Sequence, residues 1–341
     1  MNPFQHPHKS AVKNFMNIKN KYIFFSSSRF GVWVLRKIIK KAPPLFVITK
    51  KPKPKGRKKQ LELNVIAEFC LKKKIPFFYY EDSLEILKNY NIEFALLAGF
   101  GKILKKEILD LFPKGILGIH PSLLPDLKGP SPIQFTILEN KEPGVTLFLL
   151  DENIDNGPIL KQEKINIEKD FYYDELEKEL GLLGGKVFLE TIQDYLDGKL
   201  EPQAQKKEGS YTKKIEKNDA KITKLDSAEL AYRKIRAFCI EPIAWIEIRI
   251  NSTNKMLQIY KSKKIKENVI KSWIKGKEIN KILKKEGEKF IPQILFLKNQ
   301  TMLVLNDGIL LLEKVQLEGK KIMSGKEFFN GYYNKKIEIV N

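Results

Sequence analysis

The chain has 341 residues, of which 43% are hydrophobic and 30% are charged. This length suits about two domains of ~150 residues each, and the composition excludes a generally disordered chain. The longest apolar stretches, FALLAGF and GVTLFLL, are far shorter than the ~20 residues that span a bilayer. The first 20 residues hold no apolar signal region, and the two cysteines, Cys70 and Cys239, cannot form a disulfide framework. We therefore expect a cytoplasmic protein that binds no membrane.

The charge of the chain is large and uneven. Lysine and arginine total 62 against 41 acidic residues, which gives a formal net charge of +21. Residues 1–80 carry 19 basic and 2 acidic side chains, residues 151–200 carry 6 and 13, and residues 201–300 carry 24 and 12. Two basic regions separated by an acidic one favour a polyanion held across two surfaces. A compositional bias towards lysine is the alternative explanation.

In the first two thirds of the chain, short apolar runs alternate with segments of helical composition. The runs are YIFFSSS (22–28), LFVIT (45–49), FFYY (77–80), FALLAGF (94–100), GILGIH (115–120) and GVTLFLLD (144–151), and the helical segments include 30–41, 61–74, 83–90 and 171–197. Strands that are apolar throughout and alternate with helices indicate a parallel sheet covered on both faces. We predict a doubly wound, mostly parallel α/β domain over residues 21–200, after a polar tail of residues 1–20. The first turn, SSSRFG, lacks the glycine pattern of nucleotide-binding loops.

The last third of the chain has a different pattern. Residues 201–227 are polar and predict an inter-domain linker. The segments that follow are rich in strand formers, namely IAWIEIRI (243–250), MLQIY (256–260), PQILFLK (292–298), TMLVLN (301–306) and ILLLEKVQL (309–317). Asn-Gln at 299–300 and Asp-Gly at 307–308 are tight-turn signals between them. We therefore predict a small OB-like antiparallel β-barrel over residues 228–341, with a lysine-rich segment at 261–289.

His120 is the candidate catalytic residue, because His6 and His8 lie in the polar tail. It ends the run GILGIH, at the carboxyl end of a central strand, where ligands bind in open α/β sheets. Asp155 follows the next run, and neighbouring strand ends would bring the two side chains within hydrogen-bonding reach. Such a pair can transfer protons through an oriented imidazole. The alternative is a structural histidine whose ring is bonded to backbone groups.

The sequence around these two residues resembles a known family. HPSLLPDLKGPSPIQ (120–134), GVT (144–146) and IDNGPIL (154–160) together resemble the 10-formyltetrahydrofolate-dependent formyltransferases, above all those that act on methionyl-tRNA. Further similar segments are KPKPKGRKKQL (51–61), GFGKIL (99–104), GSYTKKIEKNDAKI (209–222), IRAFCIEPIAW (235–245) and LEGKKIMSGKEFFNGY (317–332). The resemblance covers roughly residues 22–333 in order, and its C-terminal segments favour the tRNA enzymes over relatives that act on sugars.

The resemblance implies transfer of a formyl group from 10-formyltetrahydrofolate to the α-amine of methionine carried by initiator tRNA. It implies that His120 donates a hydrogen bond to the tetrahedral oxyanion and that Asp155 orients His120 and relays protons. The folate would be bound by Ser122, Leu123, Leu124, Pro125, Gly99, Phe100 and Gly101. The acceptor stem of the tRNA would be bound by Arg57, Lys53, Lys55, Lys58 and Lys59. No motif calls for a metal, and we expect a monomer.

One position departs from the family pattern. The family has an asparagine two residues before the histidine, as a second oxyanion donor, whereas this chain has Gly118. Loss of one such donor typically lowers the rate by ~10²–10³. A backbone N–H, a water molecule or the amides of Asn153 and Asn156 are possible substitutes. Two other functions stay open. One is an amino-sugar nucleotide N-formyltransferase, because that class shares the His–Asp core, and the other, suggested by Gly118, is a catalytically weakened protein that only binds tRNA or folate.

Overall fold

The computed structural model describes residues 22–55, 60–166, 170–206, 208–273, 283, 285–287 and 289–340. They form two compact units. The first comprises the described residues of Met1–Thr136, Glu142–Lys169 and Glu175–Lys213, and the second those of Ile137–Lys141, Asp170–Asp174 and Lys214–Asn341. Across these described ranges, no helix has the length and apolar character needed to cross a membrane. The tail predicted for residues 1–20 lies outside the described part of the chain.

The first unit is an α/β domain. Its strands are β1 (Tyr22–Phe25), β2 (Val47–Thr49), β3 (Lys53–Lys55), β4 (Gln60–Glu62), β5 (Phe77–Tyr79), β6 (Phe94–Leu97), β7 (Ile116–His120), β8 (Gly144–Leu149) and β9 (Ile159–Lys164). The helices along this half of the chain are α1 (Arg29–Ile38), α2 (Val65–Lys73), α3 (Ser83–Lys88), α4 (Lys106–Leu109), α5 (Pro132–Leu138) and α6 (Tyr173–Leu196).

Seven of these strands form one sheet in the order β5-β2-β1-β6-β7-β8-β9. The pairs from β5 to β7 are parallel. Strands β1, β2, β6 and β7 are almost entirely buried, as expected for strands covered on both faces, whereas the edge strand β5 is half-buried. The predicted doubly wound, mostly parallel sheet is confirmed. The sheet differs at one edge, where β8 runs antiparallel to β7 and β9 antiparallel to β8. The sequence of β9, ILKQEK, is mostly polar, which is why no apolar run marked this edge strand.

Helix starts are set by capping side chains. The Ser28 hydroxyl accepts a hydrogen bond from Gly31 N at the start of α1. The sequence predicted a helix from residue 61, but α2 begins at Val65 because the Asn64 carboxamide accepts from the first free backbone N–H groups. The residues before Asn64 form β4, which pairs with β3 in an antiparallel hairpin.

The second unit is β-rich. Its strands are β10 (Lys221–Ile222), β11 (Trp245–Ile250), β12 (Thr253–Ile265), β13 (Lys285–Glu286), β14 (Lys289–Phe290), β15 (Gln293–Leu297), β16 (Gln300–Leu305), β17 (Gly308–Leu317), β18 (Met323–Ser324) and β19 (Ile337–Ile339). Its described helices are α7 (Ala228–Ala237), α8 (Glu267–Trp273) and α9 (Gly325–Tyr332).

Eight strands of this unit form one curled sheet, which confirms the predicted β-rich second domain. The order is β10-β11-β12-β17-β16-β15, with β18 on β17 and β19 on β11. The long strand β12 shifts its register to β17 between Ile259 and Ser262, and such irregularities increase the local twist. The hairpin turn between β15 and β16 consists of Lys298 and Asn299, both with positive φ, one position earlier than the turn signal.

Part of the predicted linker, residues 201–227, lies against the first unit. Gln203 forms an isolated antiparallel bridge with Ile159, and Tyr211 forms a parallel bridge with Lys128. The division between the two units falls after Lys213. Residues 203–206 and 208–212 are therefore bonded to the α/β domain, and they are not a free connection between the units.

Candidate active site

Three strand ends meet at one edge of the α/β sheet. Phe25 of β1 pairs with Leu97 of β6, and Leu97 pairs with Gly118 of β7, all in parallel register. The residues that follow these strands therefore lie side by side, and His120 ends β7 at this edge. The carboxyl edge of an open parallel sheet is where such folds bind their ligands.

The His120 ring is 6% exposed, and both of its nitrogens face polar partners. Nε2 lies 2.9 Å from the Leu127 carbonyl oxygen. A carbonyl can only accept, so Nε2 carries a hydrogen in this arrangement. Nδ1 lies 3.6 Å from Asp155 Oδ2, which is longer than a direct hydrogen bond, and the contact is an ion pair only when the ring is protonated.

Asp155 reaches His120 by a path that differs from the one predicted. Because β8 is antiparallel to β7, Leu149 at its end lies beside Leu117, three residues before His120. The loop after β8 then returns along the sheet and brings the Asp155 carboxylate to the histidine. Asp155 itself has a φ of 54°, in the left-handed region, and its Oδ2 accepts a hydrogen bond from Gly129 N at 2.7 Å.

The space beside Gly118 is filled by apolar side chains. A Cβ atom at this position would lie 2.5 Å from Phe148 Cε1 and 2.7 Å from Leu150 Cδ1. Gly118 and Phe148 are directly opposite each other in the β7–β8 pair, so their side-chain positions share one face of the sheet. The Phe148 ring therefore occupies the place that the Cβ of a family asparagine would require.

Neither candidate substitute amide is positioned as an obvious replacement. The Asn156 side chain is engaged at both ends, because its Oδ1 contacts Lys128 Nζ and its Nδ2 donates to the Tyr211 hydroxyl at 2.8 Å. Asn153 lies on the exposed part of the same loop, where its backbone N–H donates to Asp151.

The residues expected to bind folate divide into buried and accessible groups. Ser122 and Leu124 are buried, whereas Leu123 and Pro125 are half-buried and able to contact a ligand. The Ser122 hydroxyl donates to the Asp126 carbonyl at 2.6 Å, so it has an internal partner.

The second predicted folate segment follows β6. Gly99 and Gly101 both have positive φ, as glycines in a tight turn often do. Phe100 between them is 1% exposed and packs in the core against Phe25 and Tyr80. A ligand at this segment would therefore meet the glycines and the backbone rather than the Phe100 ring. Lys50, which the sequence did not single out, donates to the Gly101 carbonyl at 2.7 Å.

The predicted tRNA-binding residues are only partly described. Lys53 and Lys55 lie on β3 of the short hairpin, and Lys53 pairs with Glu62 across it. Arg57, Lys58 and Lys59 lie outside the described residues. Of the lysine-rich segment 261–289, the structure describes the end of β12, helix α8 and a few residues near β13 and β14.

Two polar residues beneath the site were missed by sequence reasoning. The Thr146 hydroxyl accepts from Leu124 N and donates to the Ser122 carbonyl. Gln162 of β9 donates to both the Leu124 carbonyl and the Thr146 hydroxyl. These bonds fix the HPSLLP turn against β8 and β9. Thr146 could have been found as a polar residue inside the apolar run GVTLFLL. Gln162 could not, because it lies in a strand that is mostly polar and does not stand out there.

The described ranges contain no cluster of three His, Cys, Asp or Glu side chains that could hold a metal ion. The site therefore consists of an imidazole, a carboxylate and backbone donors and acceptors at a sheet edge. Such an arrangement is suited to proton transfer and to the stabilisation of a developing oxyanion.

Comparison with known proteins places this site in a family. Residues 24–192 match the family described as formyl transferase, and residues 214–333 match its C-terminal domain. The methionyl-tRNA formyltransferase of Thermodesulfovibrio yellowstonii is 32% identical over 316 residues, which cover 91% of this chain and 95% of that protein. The chain belongs to the methionyl-tRNA formyltransferase family.

Solved structures of two other proteins share the fold. HypX from Aquifex aeolicus, in complex with tetrahydrofolic acid, has a TM-score of 0.60 at 14% identity, covering 92% of this chain and 47% of HypX. WlaRD, described as a sugar 3N-formyl transferase, has a TM-score of 0.59 at 22% identity, covering 89% of this chain and all of WlaRD. Both proteins are under 25% identical to this chain, so these two matches show a shared fold and no more.

Proposed function

We propose that this chain transfers the formyl group of 10-formyltetrahydrofolate to the α-amine of methionine on initiator tRNA. The observation that carries the proposal is the similarity to methionyl-tRNA formyltransferases along 95% of a relative's length, including the C-terminal domain. The sugar-modifying relative is more distant, at 22% identity. The His120–Asp155 pair at the sheet edge supplies the groups that the reaction needs.

In the proposed reaction, the α-amine attacks the formyl carbon and its C=O electrons move onto oxygen. The tetrahedral intermediate then loses the bond between the formyl carbon and N10 of the folate. N10 takes up a proton, and the amine loses one. Asp155 is the carboxylate nearest to His120 and is assigned the role of relaying these protons, while His120 donates from a ring nitrogen to the oxyanion.

The hydrogen bond from His120 to Leu127 supports this assignment. In the resting site, the Nε2–H is bonded to a neutral carbonyl oxygen. A negatively charged oxyanion is a stronger acceptor than a neutral carbonyl, by roughly a factor of two in hydrogen-bond strength. If Nε2–H donates to the oxyanion in place of the Leu127 carbonyl, the tetrahedral intermediate is stabilised more than the bound substrate. This difference is the condition for lowering the barrier.

The basic segments of the chain are assigned to the tRNA. A charged tRNA end is a polyanion, and Arg57 belongs to the basic segment KPKPKGRKKQL, which follows the second apolar run of the sequence. Lysines of the 261–289 segment would bind backbone phosphates of the stem. We further propose that the protein acts as a monomer in the cytoplasm, where its two free cysteines would remain reduced.

The test is a formylation assay with purified protein, 10-formyltetrahydrofolate and charged initiator tRNA. We expect formyl-methionyl-tRNA to accumulate and charged elongator methionyl-tRNA to be a poorer substrate. A nucleotide-linked amino sugar serves as the competing substrate. Formylation of the sugar but not of the tRNA would establish the amino-sugar function instead. Binding of tRNA or folate without turnover of either substrate would establish the weakened, binding-only protein.

A further inference from the structure

Two loops hold the proposed catalytic pair, one bonded to His120 through Leu127 and one containing Asp155, and both are bonded to one polar segment. We call residues 124–131 the histidine loop, residues 155–157 the aspartate loop, and residues 203–206 with 208–212 the strap. We propose that the strap is part of the active site and that Gln205 is a positioning residue that fixes Asp155. This inference rests on the function proposed above, because it gives Gln205 a role in formyl transfer through Asp155.

The strap is bonded to the histidine loop through backbone and hydroxyl groups. Lys128 N donates to the Ser210 carbonyl at 2.8 Å, and Thr212 N donates to the Lys128 carbonyl at 2.7 Å. The Ser210 hydroxyl accepts from Leu127 N at 3.0 Å. Because the Leu127 carbonyl is the hydrogen-bond partner of His120 in the resting site, the strap holds the residue that orients the imidazole before the oxyanion forms.

Gln205 binds the aspartate loop from the other side. Its Nε2 donates to the carbonyl oxygens of Asp155 and Gly157, each at 2.9 Å. Both partners are acceptors, so the orientation of the amide is determined by the contacts. The loop is tight: Asp155 has a left-handed backbone, and a Cβ at Gly157 would lie 1.7 Å from the Leu149 carbonyl oxygen. One side-chain amide thus fixes two carbonyls of a strained turn.

Lys128 joins all three segments. Its side chain is only 2% exposed, although lysine is rarely buried without partners. Nζ contacts Asn156 Oδ1 in the aspartate loop and donates to the Glu208 carbonyl of the strap at 3.0 Å. Asn156 in turn donates to the Tyr211 hydroxyl. Every residue of the aspartate loop therefore has a hydrogen bond to the strap or to the histidine loop.

The environment of Gln205 favours a positioning role over a purely stabilising one. Its Oε1 is buried, and no donor among the described residues faces it. A buried acceptor without a donor costs about 1–3 kcal/mol, so this side chain is a poor choice for stability alone. Its two hydrogen bonds to the turn of Asp155 give a reason for the glutamine at this position.

A double-mutant cycle tests the proposal. We expect Gln205→Ala to lower kcat by about 10–10²-fold, because misplacement of a catalytic group by ~1 Å has effects of this size, and to leave KM for both substrates within about twofold. Gln205→Glu keeps the shape but removes the donor, and we expect a similar loss. In an Asp155→Asn background, Gln205→Ala should lower kcat by less than about twofold, because the two residues act as one unit.

Two glycines supply a matched control. Gly198 and Gly209 both have left-handed backbones, with φ of 72° and 77°. A Cβ at Gly209 would lie 2.0 Å from the Pro125 carbonyl oxygen of the histidine loop, whereas a Cβ at Gly198 would meet nothing within 4 Å. Substitution by alanine strains the backbone equally at both, so we expect only Gly209→Ala to displace the strap and lower kcat.

Four outcomes would overturn the proposal for the strap. The first is wild-type kcat in both Gln205 variants while Asp155→Asn is impaired, and the second is a double variant whose loss of kcat equals the product of the losses of Gln205→Ala and Asp155→Asn. The third is an increase in KM with no change in kcat, and the fourth is equal kcat in the two glycine variants. Full activity of Asp155→Asn would instead remove the catalytic role proposed for Asp155 itself. The two failures are therefore distinguishable.

Discussion

The pairing of Gly118 with Phe148 predicts that the missing amide cannot be restored by one substitution. In Gly118→Asn, the new Cβ would lie 2.5 Å from the Phe148 ring and 2.7 Å from Leu150, against an ordinary carbon–carbon contact of ~3.5–4.0 Å. Both side chains would have to withdraw by roughly 1 Å, and Phe148 is only 3% exposed. Overpacking of this kind costs about 1–3 kcal/mol, so we expect Tm to fall by about 2–10 °C.

The pair Gly118→Asn with Phe148→Val should behave differently. The two changes roughly cancel in volume, and valine is well suited to a strand, so we expect Tm to return close to the original value. If the amide then faces the oxyanion beside His120, kcat should rise by up to about 10²-fold, the usual effect of one such donor. The measurements are thermal unfolding and the rate of formyl transfer to charged initiator tRNA.

Two controls isolate the amide. Phe148→Val alone measures the effect of making space, and Gly118→Asp with Phe148→Val has the same shape but no N–H donor. We expect neither control to gain activity. A stable double variant with unchanged kcat would show that a donor at position 118 does not limit the reaction. Wild-type Tm for Gly118→Asn alone would refute the packing argument.

Three further predictions concern the catalytic pair, the tRNA and the cysteines. His120→Ala and Asp155→Asn should each lower kcat/KM by at least ~10², and a double variant should lose less than the product; near-wild-type activity of either would contradict the assignment. Affinity for charged tRNA should fall with salt, and the slope of log K against log salt concentration should be near −0.9 for each duplex phosphate contacted. Arg57→Ala should weaken the use of tRNA but not the binding of folate. An affinity that does not change with salt would mean that the lysine excess is a compositional bias. Burial raises the pKa of Cys70 to about 12 and that of Cys239 to about 11, so both thiols are protonated at pH 8. We expect both to resist alkylation until the chain is unfolded, as measured by mass spectrometry, and rapid labelling of the native protein would contradict this.

The α/β architecture was predictable because its strands are buried on both faces. Six of the seven strands in the first sheet correspond to continuous apolar runs, and the edge strand β9 does not because it is mostly polar. The small turns of the second sheet were displaced by one residue. There the chain places Lys298 and Asn299 at the left-handed positions, and lysine gives no turn signal.

The prediction that His120 and Asp155 lie close together assumed that both follow strand ends at the same edge of a parallel sheet. That assumption is correct for His120 only. His120 does end a parallel strand at the ligand-binding edge. Asp155 follows a strand that is antiparallel, whose end lies at Leu117, and it returns through a loop with a left-handed backbone. Strand direction depends on pairing with distant residues, so the apolar run GVTLFLL could not reveal it.

The same limit applies to Gly118. Its departure from the family pattern was visible in the sequence, but its neighbour Phe148 is thirty residues away and becomes adjacent only in the β7–β8 register. The sequence suggested an open space beside a glycine, whereas the fold fills that space with an aromatic ring.

The strap shows why a polar segment can be read as a linker and still belong to a site. Hydrophobic periodicity detects elements that bury apolar side chains, and the strap is attached mainly by backbone carbonyls, hydroxyls and amides. Such bonds contribute little net stability each, about 0.5–1.5 kcal/mol, but they are directional and fix the loops they join. A segment of this kind is therefore selected for geometry rather than for burial, and composition alone cannot distinguish it from a tether.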